Sequence, residues 1–254
     1  MKATRKAKAG GWGELLVSLG EALIIAVVIR TLLFQPFSIP SGSMEQTLLI
    51  GDYLFVTKYS YGYSRYSIPF APPLFSGRIF GSTPQRGDVV VFRHKDPVHG
   101  DLDFIKRLIG LPGDRLQVKG GLLYINDTPV KREAESDFVG QDPCTSAPVF
   151  SLPVHVKRWR ETLPNGVTYV TLETPGRPNL ANTKIFEVPP GHYFMMGDNR
   201  DNSSDSRADV GFVPFENLIG RAQVIFFSIQ GEHAWAIWTW PWSVRWGRLL
   251  TLVR

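Results

Sequence analysis

Apolar residues follow two different patterns along the chain. Residues 15–34 form a run of twenty mostly apolar positions, densest in ALIIAVVI at 22–29. A helix needs about twenty such residues to cross the hydrocarbon core of a bilayer, so the run predicts a membrane-spanning helix. From Gln35 onward the apolar residues come in short segments instead: 52–57 (DYLFVT), 88–92 (DVVVF), 103–108 (DFIKRL), 115–118, 122–125 and 221–227. These are rich in β-branched and aromatic residues and are separated by Gly, Pro and Asp, as in GLPGD at 110–114, which predicts strands joined by turns. No long helical period appears outside the first run.

Glu21 is a costly guest in a bilayer, whereas Arg30 can reach the interface along its aliphatic stem. A cleavable secretory signal or a buried core helix would give a similar run. The segment after it, RTLLFQPFSIPSGSM, has no A-x-A-like exit, and four basic residues precede the run (Lys2, Arg5, Lys6, Lys8). Both features favour an uncleaved anchor. The positive-inside rule then puts residues 1–14 in the cytoplasm and the rest of the chain outside.

The remaining pattern divides into a β core at 35–118 and 188–233, a more polar and irregular insertion at 119–187, and a tail at 234–254. Residues 61–85, rich in Pro, Gly and aromatics, read as a ribbon or long loop. The tail holds Trp235, Trp238, Trp240, Trp242 and Trp246, five of the seven tryptophans. Tryptophan among arginines suits a bilayer interface, although a helix docked on the core is the plain alternative.

Charge sharpens this reading. The net charge is +5, from 28 basic and 23 acidic residues. Residues 1–30 carry five basic residues and two acids, and the tail carries Arg245, Arg248 and Arg254. The middle is close to neutral, so the excess lies at the two ends. That argues against a nucleic-acid groove and for lipid headgroups as a partner. Cys144 is the one cysteine, so no internal disulfide and no Cys-x-x-Cys site exists. The five histidines are scattered, with no His-Glu-x-x-His, and neither a metal nor a cofactor is expected.

Three stretches carry candidate chemistry. In IPSGSM (39–44), Pro40 fixes φ and Gly42 permits a tight or left-handed turn, which would display Ser43. A hydroxyl nucleophile needs a base. Lysine serves only if its pKa, ordinarily near 10.4, falls by roughly 3 units through desolvation. Lys106 lies in the apolar strand FIKRL, where alternation puts Phe104, Lys106 and Leu108 on one face. A surface lysine paired with Asp103 or Asp114 is the alternative. In GDNRDNSSDSR (197–207), Asp198, Asp201 and Asp205 crowd together. A solvated turn or a calcium loop would account for them, but the helix-loop-helix calcium spacing is missing.

Together these stretches resemble the bacterial type I signal peptidases, the leader peptidase family. The likeness runs in order through FQPFSIPSGSMEQTLLIGDYLFV, RGDVVVF, DFIKRLIGLPGD and GDNRDNSSDSR, after a membrane anchor. It implies a mainly β fold: an antiparallel β-sheet catalytic core with an inserted β-rich second domain, preceded by one N-terminal transmembrane helix. It implies Ser43 as nucleophile and Lys106 as general base. Ser41 and the Ser43 N–H would form the oxyanion hole, and Ser203 would hydrogen-bond and orient the lysine. Asp205, Arg207 and Arg107 would support the site. Phe37, Ile39, Pro40, Met44, Leu48, Val91, Phe104 and Ile105 would line pockets for small substrate side chains. Preproteins carrying signal peptides are the implied substrates, and the bacterial inner membrane the implied location. Some relatives have two spans or a disulfide in the insertion; this chain has neither. A self-cleaving repressor would need a DNA-binding module where this chain has its apolar run. A penicillin-binding enzyme would need Ser-x-x-Lys, whereas Gln46 stands three residues after Ser43. A non-enzymatic, calcium-stabilised, anchored binding protein is the remaining alternative.

Overall fold

The computed structural model describes residues 11–96, 100–140, 154–174, 180–230 and 237–254. The basic residues of the N-terminus, Cys144 and Trp235 lie outside the described residues. The first described element is an α-helix, Trp12–Leu32. At about 1.5 Å per residue its 21 residues span roughly 30 Å. Its mean hydropathy over the central window is 2.2 and none of it is buried, so it is long and apolar enough to cross a membrane. The helix stops before the apolar run does. Phe34 already starts a strand, because Pro36 cannot continue the helix.

The strands in chain order are β1 (Phe34–Ser38), β2 (Asp52–Thr57), β3 (Val89–Asp96) and β4 (Gly100–Gly110). Next come β5 (Arg115–Lys119), β6 (Leu122–Ile125), β7 (Thr128–Pro129), β8 (Lys131–Ala134), β9 (Phe138–Gly140), β10 (Val154–Thr162) and β11 (Thr168–Glu173). The chain closes with β12 (Phe186–Glu187), β13 (His192–Met196), β14 (Val213–Pro214), β15 (Leu218–Ser228) and β16 (Thr251–Leu252). The main sheet has the order β1-β2-β15-β3-β4-β13-β14, with β16 also on β15. One smaller sheet joins β12-β5-β6-β7, and another joins β11-β10-β8 with β9 on β10. Every strand pair is antiparallel. The fold is therefore mainly β with one long apolar helix at its start.

Strand β3 shows why the sheet is firm beneath the site. Val89 and Val91 face one apolar cluster, with Ile39, Met44, Leu48 and Leu54. Val90 and Phe92 face another, with Leu108 and Met195. The VVVF run is buried on both faces, and its alternation welds two cores together. Its partner β4 is held in register by the pairs Val90↔Lys106 and Val91↔Ile105.

The described part of the tail is not one continuous helix, so the alternative of a helix docked on the core does not hold there. That part has a single helical turn, Trp240–Ser243, flanked by 3-10 turns and ending in β16. Pro241 sits within that turn's first two residues, where a missing N–H costs nothing. Trp240 packs on Phe227, while Trp238, Trp242 and Trp246 are exposed. Two of the tail's arginines turn back onto the sheet, while Arg254 is exposed. Arg248 forms an ion pair with buried Asp52 at 2.6 Å, and Arg245 donates to the Ile50 carbonyl at 3.0 Å.

Candidate active site

Two loops and one strand converge. The segment after β1 makes a 3-10 turn at Gly42–Met44. Gly42 is not left-handed here; the left-handed residue of the segment is Gln46, at φ 85°. The turn directs Ser43 toward β4, where Lys106 Nζ donates to Ser43 Oγ at 2.6 Å. Both side chains are nearly enclosed, at 7% and 5% exposure. Burial pushes the Lys106 pKa down to about 8, against the pull of Asp205 and Asp198. The Phe104 ring lies 5.5 Å from the amine and helps to keep it dry.

Those two carboxylates would hold the lysine charged if they were free. Each is instead occupied by an arginine. Arg107, fully buried, binds Asp198 through two nitrogens at 2.8 and 2.7 Å. Arg107 also donates to the carbonyls of Gly87 and Arg254, which ties Arg254 to β4. Arg207 binds Asp205 at 3.0 and 2.8 Å. Burial would raise the Asp205 pKa, but Arg207 and the Gly197 N–H hold it below the usual carboxylate range. Two of the loop's three acids are committed in this way, and the third, Asp201, accepts from the Thr174 N–H at 2.8 Å.

Asn199 locks the loop to the Ser43 turn. Its N–H donates to the Ser43 carbonyl at 3.1 Å and its side chain to the Gly42 carbonyl at 3.2 Å. Gly197 has to be glycine. A Cβ there would lie 2.2 Å from Ser203 Oγ and 2.6 Å from the Ser43 carbonyl.

Ser41 is exposed, with its Oγ 3.5 Å from Ser43 Oγ. Ser203 differs from expectation. Its Oγ is buried without a hydrogen-bond partner, and the bond to Lys106 is not formed. It turns instead toward Gly197, which also lies against the Ser43 carbonyl.

Beside Ser43 and Lys106 opens a cleft of about 410 Å³. Phe37, Ile39, Pro40, Val91, Phe104 and Ile105 line it as expected. Met44 and Leu48 do not. Both are fully buried in the core below, because the 3-10 turn that raises Ser43 drives Met44 inward. Sequence reasoning missed Ser38, Leu102, Asn202 and Ser204 on the cleft wall. Leu102 was within reach of it: it shares the face of Phe104 and Lys106 once β4 is extended by two residues.

The chain is also similar to known proteins. Residues 12–227 match the family described as signal peptidase, peptidase S26. A signal peptidase I of Rickettsia typhi is 47% identical over 216 residues, covering 82% of this chain and 77% of that protein. A signal peptidase I of Rickettsia prowazekii is 45% identical over 221 residues, covering 84% and 79%. A crystal structure of a signal peptidase I from Enterococcus faecalis aligns at 25% identity over 55% of this chain and 97% of that one, with a TM-score of 0.30. On the family match and the identity to these relatives, the chain belongs to the signal peptidase family, peptidase S26, and is an enzyme of that family.

Proposed function

We propose that the protein is a membrane-anchored serine endopeptidase that removes signal peptides through a Ser43–Lys106 pair. The observation that carries this reading is the 2.6 Å contact between an enclosed amine and an enclosed hydroxyl at the head of an apolar cleft. Neutral Lys106 takes the Ser43 proton as Oγ attacks the scissile carbonyl. The Ser43 N–H and Ser41 hydroxyl hold the developing oxyanion. Protonated Lys106 then gives its proton to the leaving amine, and a water deprotonated by the same lysine releases the acyl group.

The substrate lies extended between residues 37–40 and 102–105, so that alternate side chains enter the apolar wall. Small side chains there let the scissile bond approach Ser43. Asp205–Arg207 and Asp198–Arg107 serve the lysine by neutralising the acids behind it. The N-terminal helix holds the cleft near the bilayer, with the N-terminus cytoplasmic and the β sheets on the outer face of a bacterial inner membrane. A tethered protease and a membrane-held signal peptide then meet at high effective concentration.

Incubating the full-length protein with a preprotein tests this. Ser43→Ala and Lys106→Ala each abolish cleavage while circular dichroism is unchanged. Cleavage by Lys106→Ala near the wild-type rate removes lysine from the mechanism.

A further inference from the structure

A second cavity, of about 420 Å³, opens where the N-terminal helix meets the sheet, and it shares only Asp103 with the cleft. Its wall is charged rather than apolar. Arg30, Arg65, Arg93 and Lys95 face Asp101 and Asp103 across it, four cations to two acids. The acids are turned to Arg93, at 2.7 Å from Asp103 and 3.9 Å from Asp101. Behind the wall lies Lys58, 1% exposed, whose ammonium donates to the Ser67 carbonyl at 3.1 Å. Burial, and then Arg30, push its pKa down to about 8. The region thus carries more positive charge than its own carboxylates balance.

The cavity's height is fixed by the helix end. Tyr63 donates to the Leu32 carbonyl at 2.8 Å and the Lys58 N–H to the Leu33 carbonyl at 3.0 Å. The first bond straps the 61–85 segment beside the last helical turn, and the second holds the residue after β2 there. On the cavity rim, Phe70 and Ala71 are left-handed, at φ 64° and 46°, and Phe70 is fully exposed. A strained turn that displays an aromatic ring gains nothing in water; in lipid the ring is buried.

We propose that this cavity holds the phosphate of an anionic phospholipid, with the acyl chains running past Phe70 alongside the helix. The inference rests on the membrane-anchored reading above. A peptide is the poorer occupant, since the apolar wall that suits an extended peptide belongs to the other cleft. Each cation near a bilayer surface contributes about fivefold in binding, so Arg30 and Arg65 together contribute about 30-fold.

The test uses the full-length protein in neutral detergent, titrated with phosphatidylglycerol or with phosphatidylcholine of the same chains. Retained lipid is counted by native mass spectrometry. The wild type holds phosphatidylglycerol about 30-fold more tightly than phosphatidylcholine. The Arg30→Gln/Arg65→Gln double variant loses that preference with an unchanged melting temperature, and Arg115→Gln, on the separate β5–β6 sheet, keeps it. Inorganic phosphate at the same concentration does not displace the lipid. Equal retention of the two lipids by the wild type overturns the proposal, as does a double variant that keeps the preference. Displacement by phosphate alone assigns the site to a free anion, and a change confined to the KM for preprotein assigns it to the peptide; either also overturns it. If the wild type binds neither lipid nor any vesicle, the anchoring reading itself has failed.

Discussion

Among the described residues two lysines are buried, and of these Lys106 alone meets a serine hydroxyl. Lys58 and Lys106 are 1% and 5% exposed, and burial lowers both to a pKa of about 8. Lys58 ends on the Ser67 carbonyl, which has no proton to give up. Lys106 ends on the Ser43 hydroxyl at the head of an apolar cleft. A lowered pKa is therefore not what marks a general base. The mark is the proton donor it touches, together with space for a substrate.

The comparison breaks most directly through substitution. Lys106→Met is expected to lower kcat for preprotein cleavage by about 10³-fold or more, in line with loss of a general base. Lys58→Met, which removes a lysine of the same burial and the same lowered pKa, is expected to stay within about threefold of wild type. Equal losses in the two variants, measured beside their melting temperatures, would show that burial of charge and not base catalysis is being read.

A smaller effect separates the surroundings of the lysine from the lysine itself. Arg207→Gln leaves Asp205 without its paired cation, and the freed carboxylate favours the charged amine. The apparent pKa of the rate then moves above 8, and for a rise of about one unit the rate at neutral pH falls roughly tenfold. The maximal rate at high pH is largely kept. A fall at every pH with no shift in the profile contradicts the role given to this ion pair.

The smallest effect is on stability, and its sign is opposite to that on activity. The folded pKa of Lys106, about 8, lies below the ordinary value of 10.5, so the fold disfavours the proton. Between those values the unfolded chain binds more protons, and stability rises with pH. The penalty is complete below pH 8 and gone above 10.5. Lys106→Met should therefore stabilise the protein by about 1 to 3 kcal/mol at pH 7, fading as pH climbs through that window. Denaturant titration at pH 7 and pH 10 measures the difference.

Much of this was legible in the sequence, and the gaps have physical causes. β2 and β6 fall where β-branched and aromatic residues predict them, because each has turn residues at both ends. Strand alternation left Lys106 open between a desolvated amine and a surface lysine paired with Asp103 or Asp114, because it does not say which face is dry; the likeness of the FIKR segment to the family motif is what singled it out. Met44 and Leu48 were misassigned because strand alternation does not describe a 3-10 turn, and the direction of a turn is set by what packs beneath it. The pairing of Arg248 with Asp52 spans nearly the whole chain, and no local pattern encodes it. Ser203 carries the motif's hydroxyl, but its orientation depends on the space left by Gly197.

The pH dependence of kcat/KM for preprotein cleavage tests the central claim most directly, with Glu45→Gln run beside wild type. Burial lifts the Glu45 carboxyl to about 7, close enough to confuse the profile. The rate should climb about tenfold per pH unit to a plateau with an apparent pKa near 8, in wild type and in Glu45→Gln alike. A rate that is flat from pH 6 to about 9, or an inflection that vanishes with Glu45, would contradict a neutral lysine as the base of this enzyme.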